Sequence, residues 1–203
     1  MKTQKIKTLF LDIGGVLLTN GWGKNSRKLA AEKFNLDYAE MDERHHLTFD
    51  TYELGKLTLD QYLNRVIFYE KKDFSKDDFR NFMFEQSKPY EETIAFFKEI
   101  KQTHRVKVVA VNNEGRELNE YRISKFNLHD LFDGFVSSCY VNFRKPDEDI
   151  FKMACNIAQA KPHEAIHIDD RQMFVEIARS VGLHGFHHTD LNSTKEKIAK
   201  LNF

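Results

Sequence analysis

The chain has 203 residues, of which 41% are hydrophobic and 13% aromatic, so it can bury a substantial core. Its 31 basic and 31 acidic residues balance, which leaves no electrostatic footprint for a nucleic-acid polymer or an anionic membrane surface. We therefore expect a folded protein whose partner is a small molecule; the composition leaves the oligomeric state open.

Two features of the sequence predict a cytoplasmic protein. Cys139 and Cys155 are too few for a disulfide framework and lack CxxC spacing, so we interpret them as reduced thiols. The apolar run near the N-terminus stops at Asp12, which makes it too short for a signal peptide or a membrane span. We expect no association with membranes.

Five short apolar runs predict β-strands along the chain. They cover residues 6–11, 106–111, 135–136, 165–168 and 183–186. Between the later runs lie helical patterns at residues 117–126, 149–160 and 174–181. Strands that alternate with helices predict an α/β fold, in which a parallel sheet is covered by helices on both faces.

The interval between the first two strands is much longer than the dozen or so residues that a parallel crossover needs. Residues 20–88 show helical periodicity without a strand-like run, and a further helix at 91–101 leads into the second strand. We predict a small all-helical module of residues 20–88 inserted after the first strand. Residues 1–19 and 89–203 would form the α/β core.

Carboxylates and carboxamides follow three of the predicted strands. The first strand ends in Asp12, the second in Asn112 and Asn113, and the fourth in Asp169 and Asp170. Ligands of open parallel sheets bind outside the carboxyl ends of the strands. Carboxylates that lie close together repel, and hard oxygen ligands in an open coordination sphere favour Mg²⁺. The sequence therefore predicts a magnesium site at this edge.

Three further residues predict that a phosphoryl group binds beside the magnesium. Lys145 precedes a proline and a helix start in FRKPDEDIF, so a rigid turn can hold its ammonium near the same edge. Gly14 and Gly15 directly follow the first strand and can offer backbone amides to phosphoryl oxygens. Asp12 could then attack phosphorus and form an aspartyl phosphate.

Four motifs in order, DIGGVL, VNN, RKPDEDIF and HIDDRQ, resemble those of the haloacid dehalogenase (HAD) superfamily of hydrolases over most of the chain. The closest similarity is to the phosphatase-like branch with a small helical cap. The resemblance implies a Rossmann-like three-layer core with a cap inserted after the first strand. It also implies Mg²⁺-dependent hydrolysis of a small phosphorylated metabolite, such as a sugar phosphate or a nucleotide.

The resemblance assigns the metal ligands by position. Asp12 matches the nucleophile, which is also a magnesium ligand, and Gly14 matches the position whose backbone carbonyl binds the metal. Asp170 aligns best with the direct metal ligand, and Asp169 with a residue that acts through water.

It assigns the phosphate-binding residues in the same way. Lys145 matches the residue that neutralises the nucleophile and the phosphate. Asn112 stands where the family usually has a serine or threonine donor, and its carboxamide can also donate a hydrogen bond. Asn113 follows it, as in many relatives.

The chain departs from the family pattern at Gly14, where most phosphatases of the family carry a second aspartate. That residue serves as acid for the leaving alcohol and then as base for the attacking water, a contribution of ~10²–10⁴-fold in rate. Three outcomes stay open: a leaving group that needs little protonation, another acid, or no turnover. The inserted module offers Glu43, His45 and His46, but we predict that the two histidines lie on a solvated helix face.

Two alternative functions therefore accompany the phosphatase. The loss at Gly14 is compatible with an inactive protein that binds a phosphorylated ligand and acts in regulation. Dehalogenation, in which Asp12 attacks carbon, ranks lower because it needs no metal and would leave Asp169 and Asp170 unexplained.

Overall fold

The computed structural model describes residues 5–203, and its core is one sheet of five parallel strands. The strands are β1 (Thr8–Leu11), β2 (Lys107–Asn112), β3 (Gly134–Ser137), β4 (Ala165–Asp169) and β5 (His184–His187). Their order is β3-β2-β1-β4-β5. All five predicted strands are confirmed, with ends shifted by one or two residues.

The helices between β1 and β2 follow one another without an intervening strand in the part of the chain that the structure describes. They are α1 (Lys24–Lys33), α2 (Tyr38–His46), α3 (Phe49–Glu53), α4 (Leu59–Val66), α5 (Lys76–Glu85) and α6 (Glu91–His104). We call residues 20–88 the helical insert. The exact division into core and cap stays a prediction.

The remaining helices connect the later strands or follow the last one. They are α7 (Arg116–Lys125), α8 (Ser138–Val141), α9 (Glu148–Ala158), α10 (Gln172–Ser180) and α11 (Leu191–Ile198). The sequence did not predict α11, because its residues are mostly polar. Asp190 caps this helix by accepting a hydrogen bond from the Ser193 amide at 2.8 Å.

Helices cover both faces of the sheet, as predicted. Leu9 and Leu11 of β1 pack with Phe97 of α6 in one cluster, whereas Phe10 packs with Phe151 of α9 in another. Because side chains alternate along a strand, this division places one hydrophobic core on each face.

The helical insert has a hydrophobic cluster of its own, which contains Trp22, Tyr62 and Phe79. Leu118 of α7 also belongs to it and so joins the insert to the sheet-bearing part of the chain. Burial of this apolar surface, rather than helix propensity, stabilises such short helices. The insert therefore packs over α7 beside the carboxyl end of β2.

Local capping fixes where two helices of the insert begin. Thr58 and Gln61 form a capping box at the start of α4, and Ser75 and Asp78 form one at the start of α5. Among the helices of residues 5–203, none has the length and apolar character that a membrane span requires. Cys139 and Cys155 are both free and buried.

Candidate active site

Asp12, Asp169 and Asp170 meet at the carboxyl ends of β1 and β4, where one ligand oxygen from each lies within 4.8 Å of the others. β1 is the central strand and pairs with both β2 and β4, so Leu11 lies opposite Ile168. The Asp12 amide donates a hydrogen bond to the Ile168 carbonyl at 2.9 Å, which joins the two strand ends. The backbone therefore fixes the nucleophile candidate beside the acidic pair.

Lys145 lies between the carboxylates and is only 1% exposed. Its Nζ is 3.2 Å from Oδ1 of Asp12 and 2.5 Å from Oδ2 of Asp169. Asn113 holds the lysine backbone on both sides, because its Nδ2 donates to the Lys145 carbonyl at 2.7 Å and its Oδ1 accepts from the Lys145 amide at 2.9 Å. Asn113 thus positions Lys145 through its side chain.

Burial and mutual repulsion dominate the electrostatics of this cluster. Burial raises the pKa of Asp12 to about 7, with Lys145 lowering it and Asp169 and Asp170 raising it further. For Asp169, burial would raise the pKa, but Lys145 and His167 together hold it below its usual value. Lys145 is buried too, and the two carboxylates keep its pKa above the usual value. One ammonium therefore compensates three acidic groups only partly.

One carboxylate oxygen of Asp170 makes no hydrogen bond. Its Oδ2 accepts a hydrogen bond from Asn20 Nδ2 at 3.2 Å, whereas Oδ1 is buried and has no hydrogen-bond partner. A buried carboxylate oxygen without a partner is costly unless a cation binds it. The donor set of three carboxylates, one of which has an oxygen without a partner, fits a hard divalent cation.

Gly15 makes room for Asp170. Its φ is +76°, and a Cβ at this position would lie 2.2 Å from Oδ2 of Asp170. Its amide donates to the Leu18 carbonyl at 2.7 Å, so it is engaged in the turn and is not directed to a phosphate as the sequence predicted. The glycine is needed because only hydrogen fits beside the carboxylate.

The Asn112 side chain makes hydrogen bonds within the protein, whereas the sequence predicted that it donates to a phosphate. Its Nδ2 donates to Asn119 Oδ1 at 3.0 Å, and its Oδ1 accepts from Ser137 Oγ at 2.8 Å. This buried network turns the carboxamide towards α7 and β3. Asn113, and not Asn112, lines the cavity that adjoins Asp12.

The cavity has a volume of about 400 Å³ and lies between the carboxyl ends of the strands and the helical insert. Asp12, Gly14 and Lys145 line it on the sheet side. The insert contributes aromatic and basic side chains, which include Trp22, Arg27, His45, Phe49, Tyr52 and Tyr62. A small ligand bound at Asp12 would therefore contact the insert.

His45 is buried, which contradicts the predicted position on a solvated helix face. Trp22 Nε1 donates to the Tyr62 hydroxyl at 2.8 Å, and that hydroxyl lies 2.8 Å from His45 Nδ1. An indole only donates, so the single Tyr62 hydrogen goes to His45 Nδ1 and the imidazole proton sits on Nε2. The packing of α2 against α4 produced this burial, and the polar sequence around His45 gave no signal of it.

The other two candidates from the helical insert, Glu43 and His46, are exposed. The His46 side chain is 62% exposed, as predicted, and Glu43 is exposed and does not line the cavity.

Burial lowers the pKa of His45 to about 3, and Arg27 contributes to this lowering, so that the ring is neutral near pH 7. His45 is therefore suited to donate a hydrogen bond rather than to exchange protons.

Arg122 borders Gly14 and binds Glu114, and neither residue was predicted from the sequence. Arg122 is 2% exposed, and its Nη1 lies 3.7 Å from the position of a Cβ on Gly14. The same Nη1 donates to Oε2 of Glu114 at 2.9 Å, and both residues line the cavity. Glu114 directly follows Asn113 in VNNEG, so the strand-end rule extended by one residue would have found it; nothing in the sequence marks Arg122.

One comparison with known proteins identifies the family. A model of the haloacid dehalogenase-like hydrolases matches residues 6–182. A search of the curated proteins returned no significant match.

Solved structures share the fold at low sequence identity. A HAD family enzyme from Bacteroides thetaiotaomicron, in complex with magnesium and inorganic phosphate, is 19% identical with a TM-score of 0.76 and covers 90% of this chain and 93% of its own. A predicted HAD-like family hydrolase from Porphyromonas gingivalis is 17% identical, also with a TM-score of 0.76, over 96% of this chain and 98% of its own.

A third neighbour belongs to a different reaction class. The L-2-haloacid dehalogenase from Xanthobacter autotrophicus, with chloropropionic acid covalently bound, is 12% identical with a TM-score of 0.65 over 96% of this chain and 83% of its own. At these identities the likeness establishes the fold alone.

Proposed function

The chain belongs to the haloacid dehalogenase-like hydrolases, and within this family we propose that it is a magnesium-dependent phosphatase of a small phosphorylated metabolite. Sugar phosphates and nucleotides are the substrate classes that suit a cavity of about 400 Å³ with an aromatic and basic wall. We further propose that it acts in the cytoplasm, in line with its two free cysteines.

One observation carries the choice between phosphatase and dehalogenase. Asp12, Asp169 and Asp170 converge within 4.8 Å around one lysine, and Oδ1 of Asp170 has no partner. Attack of Asp12 on carbon needs no metal and would leave this negative charge without a purpose. Attack on phosphorus uses a cation at the same place, so the acidic cluster favours the phosphatase.

Asp12, Asp170 and the Gly14 carbonyl would hold the magnesium, with Asp169 acting through water. The ion would offset the negative charge of the phosphoryl oxygens and of the three carboxylates as the nucleophile approaches. Lys145 is fixed by Asn113 and places a second positive charge beside Asp12. Burial and the two neighbouring carboxylates raise the pKa of the attacking carboxyl to about 7 although Lys145 lowers it, and the magnesium charge would lower it further.

The protein side of the reaction then has two steps. A carboxylate oxygen of Asp12 attacks phosphorus, and the bond to the leaving oxygen breaks to give an aspartyl phosphate. Water next attacks the phosphorus, and the Asp12 carboxylate leaves with its electron pair. The helical insert closes one side of the cavity and limits the access of bulk water.

The neighbours support this choice unequally. The Bacteroides enzyme was solved with magnesium and phosphate, which is the pair of ligands proposed here. The Xanthobacter enzyme was solved with chloropropionic acid covalently bound, and its fold is less similar.

Gly14 favours a second candidate, a regulatory protein that binds a phosphorylated ligand without turnover. Such a protein would retain the pocket, so that beryllium fluoride with magnesium would raise the melting temperature although no phosphate is released. The two candidates differ only in turnover.

The test is release of phosphate and of halide by the purified protein, measured with magnesium and with EDTA. We expect magnesium-dependent phosphate release from at least one sugar phosphate or nucleotide in a broad panel, and no halide from 2-haloacids. The Asp12→Asn variant supplies the background and should lose activity on the order of 10⁴-fold or more. Halide release in EDTA, or no phosphate from any substrate, would contradict the proposal.

A further inference from the structure

We propose that Glu114 is the general acid and base of this hydrolase, in place of the side chain that Gly14 lacks. The inference rests on the phosphatase function proposed above, since it concerns the protonation of the leaving oxygen and the activation of water. It assigns a catalytic residue at a different sequence position from the aspartate of the family motif.

The space beside Gly14 is filled by a pair of side chains that reach it from elsewhere. Arg122 Nη1 lies 3.7 Å from the position of a Cβ on Gly14 and 2.9 Å from Oε2 of Glu114. Glu114 lines the same cavity as Asp12. Arg122 therefore connects the carboxyl of Glu114 to the space that a side chain of residue 14 would enter.

The carboxyl of Glu114 is held in place on both oxygens. Oε1 accepts a hydrogen bond from the Gly115 amide at 3.0 Å, and Oε2 accepts from Arg122. Its backbone amide is in turn hydrogen-bonded to Ser138 Oγ at 3.0 Å. A fixed carboxyl loses little entropy when it meets a substrate, which is a requirement of an efficient proton donor.

Further hydrogen bonds fix the Arg122 side chain. Its Nε donates to Ser87 Oγ at 3.0 Å, and its Nη2 donates to the Thr19 carbonyl at 2.8 Å. Gly21 has a φ of +55°, and a Cβ there would lie 2.0 Å from Nη2. The absence of side chains at Gly14 and Gly21 thus leaves space for the guanidinium of Arg122. This guanidinium binds the carboxylate of Glu114, which also lines the cavity.

The surroundings of Glu114 suit a group that gains and loses a proton near neutral pH. Burial raises its pKa to about 7, Arg122 lowers it, Glu53 of α3 raises it, and the Gly115 amide lowers it. Glu53 is itself paired with Arg144 at 2.7 Å. An acid with a pKa near the working pH is the most effective proton carrier.

The remaining titratable groups that face Glu114 stay protonated at neutral pH. Burial raises the pKa of Tyr52 and of Tyr62 well above their usual value and that of Cys139 to about 12, and repulsion by Glu114 raises all three further. These tyrosine and cysteine neighbours of Glu114 therefore do not change protonation near pH 7.

The proposed proton steps balance. As the bond between phosphorus and the leaving oxygen breaks, the electron pair moves to that oxygen, which takes the proton of Glu114. The resulting Glu114 carboxylate then accepts a proton from water while the water oxygen attacks the phosphorus of the aspartyl phosphate. Asp12 regains its carboxylate, and Glu114 returns to the acid form.

The experiment compares Glu114→Gln with Glu117→Gln, a matched control three residues further along that does not line the cavity. With an alkyl phosphate, Glu114→Gln should lower kcat by about 10²–10⁴-fold and remove the limb of the pH profile near pH 7. With an aryl phosphate whose leaving group needs no proton, it should give a burst of one phenolate per enzyme followed by slow turnover. Glu117→Gln should keep the wild-type rate and pH profile.

An aspartate introduced at position 14 tests directly whether a carboxyl beside Arg122 can act as the general acid. Gly14→Asp in the Glu114→Gln background should recover at least about tenfold in kcat, because general acid catalysis is then restored beside Arg122. A Cβ on Gly14 would lie 3.1 Å from Asn20 Oδ1, so only a side chain has to shift. A purely structural role of Glu114 would give no such rescue.

Glu114→Asp covers the case in which Glu114→Gln does not fold. It keeps a charge against Arg122 and withdraws the carboxyl by one methylene, so kcat should fall at least about tenfold at an unchanged melting temperature. Wild-type kcat and pH profile in both Glu114 variants would overturn the role of Glu114 and leave the phosphatase intact. Absence of phosphate release by the wild type would overturn the phosphatase itself.

Discussion

The two walls of the cavity are built in different ways. The sheet wall carries Asp12 and Lys145, and Asp169 and Asp170 lie beside them; strand ends and direct ion pairs hold these charged groups. The wall of the helical insert carries aromatic rings and a buried imidazole that is neutral near pH 7. The first wall is suited to chemistry on an anion, and the second is suited to selecting what is attached to that anion.

The difference shows which contacts the backbone fixes and which depend on packing. Asp12 and Asp170 lie one residue beyond β1 and β4 and Asp169 ends β4, so their positions follow from the register of these two strands. The groups of the insert wall come from separate helices and meet only when those helices pack. A change at the sheet wall should therefore affect kcat and metal binding, and a change at the insert wall should affect KM.

Of two substitutions that test this contrast between the walls, Gly15→Ala should have the larger effect. The added Cβ would lie 2.2 Å from Oδ2 of Asp170 at a φ of +76°, so the carboxylate has to move. We expect the magnesium concentration for half-maximal activity to rise about 10–100-fold, as for other changes that displace a metal ligand. It is measured by titrating activity with magnesium.

Gly134→Ala is the matched control for this prediction, because a Cβ there has no neighbour within 4 Å. It should leave the magnesium dependence unchanged. A normal magnesium titration in Gly15→Ala would break the proposed link between Gly15, Asp170 and the metal.

A smaller effect is expected from Tyr62→Phe in the insert wall. The change removes the acceptor of Trp22 Nε1 and the donor to His45 Nδ1, so the imidazole is no longer held with its proton on Nε2. KM should rise about 2- to 10-fold, which corresponds to the net free energy of one hydrogen bond, and kcat should stay nearly unchanged. The free energy of unfolding should fall by about 1–3 kcal/mol because a buried donor loses its partner.

The exposed Tyr90→Phe is the control and should change neither quantity. Steady-state kinetics and urea unfolding measure the two effects separately. A fall in kcat with an unchanged KM would reverse the assignment of the two walls.

The contrast between the walls also explains what the sequence could predict. The five strands and the positions of Asp12, Asp169 and Asp170 followed from apolar runs and from the rule that parallel strands bind ligands at their carboxyl ends. The predicted phosphate contact of Asn112 depended on the direction of its side chain, which the partners Asn119 and Ser137 decide.

Long-range packing accounts for the residues that sequence reasoning missed. Arg122 lies within α7 and reaches Gly14 only because α7 packs against the start of the insert. His45 stands in a polar stretch, yet α4 covers it and supplies Tyr62. In both cases the chemistry depends on contacts between residues far apart in the chain, and no local periodicity predicts those contacts.

The most direct test of the account is an anomalous diffraction map of crystals soaked with manganese in place of magnesium. The account predicts one strong peak between the carboxylates of Asp12 and Asp170, with six oxygen ligands, and its loss in the Asp170→Asn variant. A map without a peak at the ends of β1 and β4, or an ion bound elsewhere with full phosphatase activity, would contradict it.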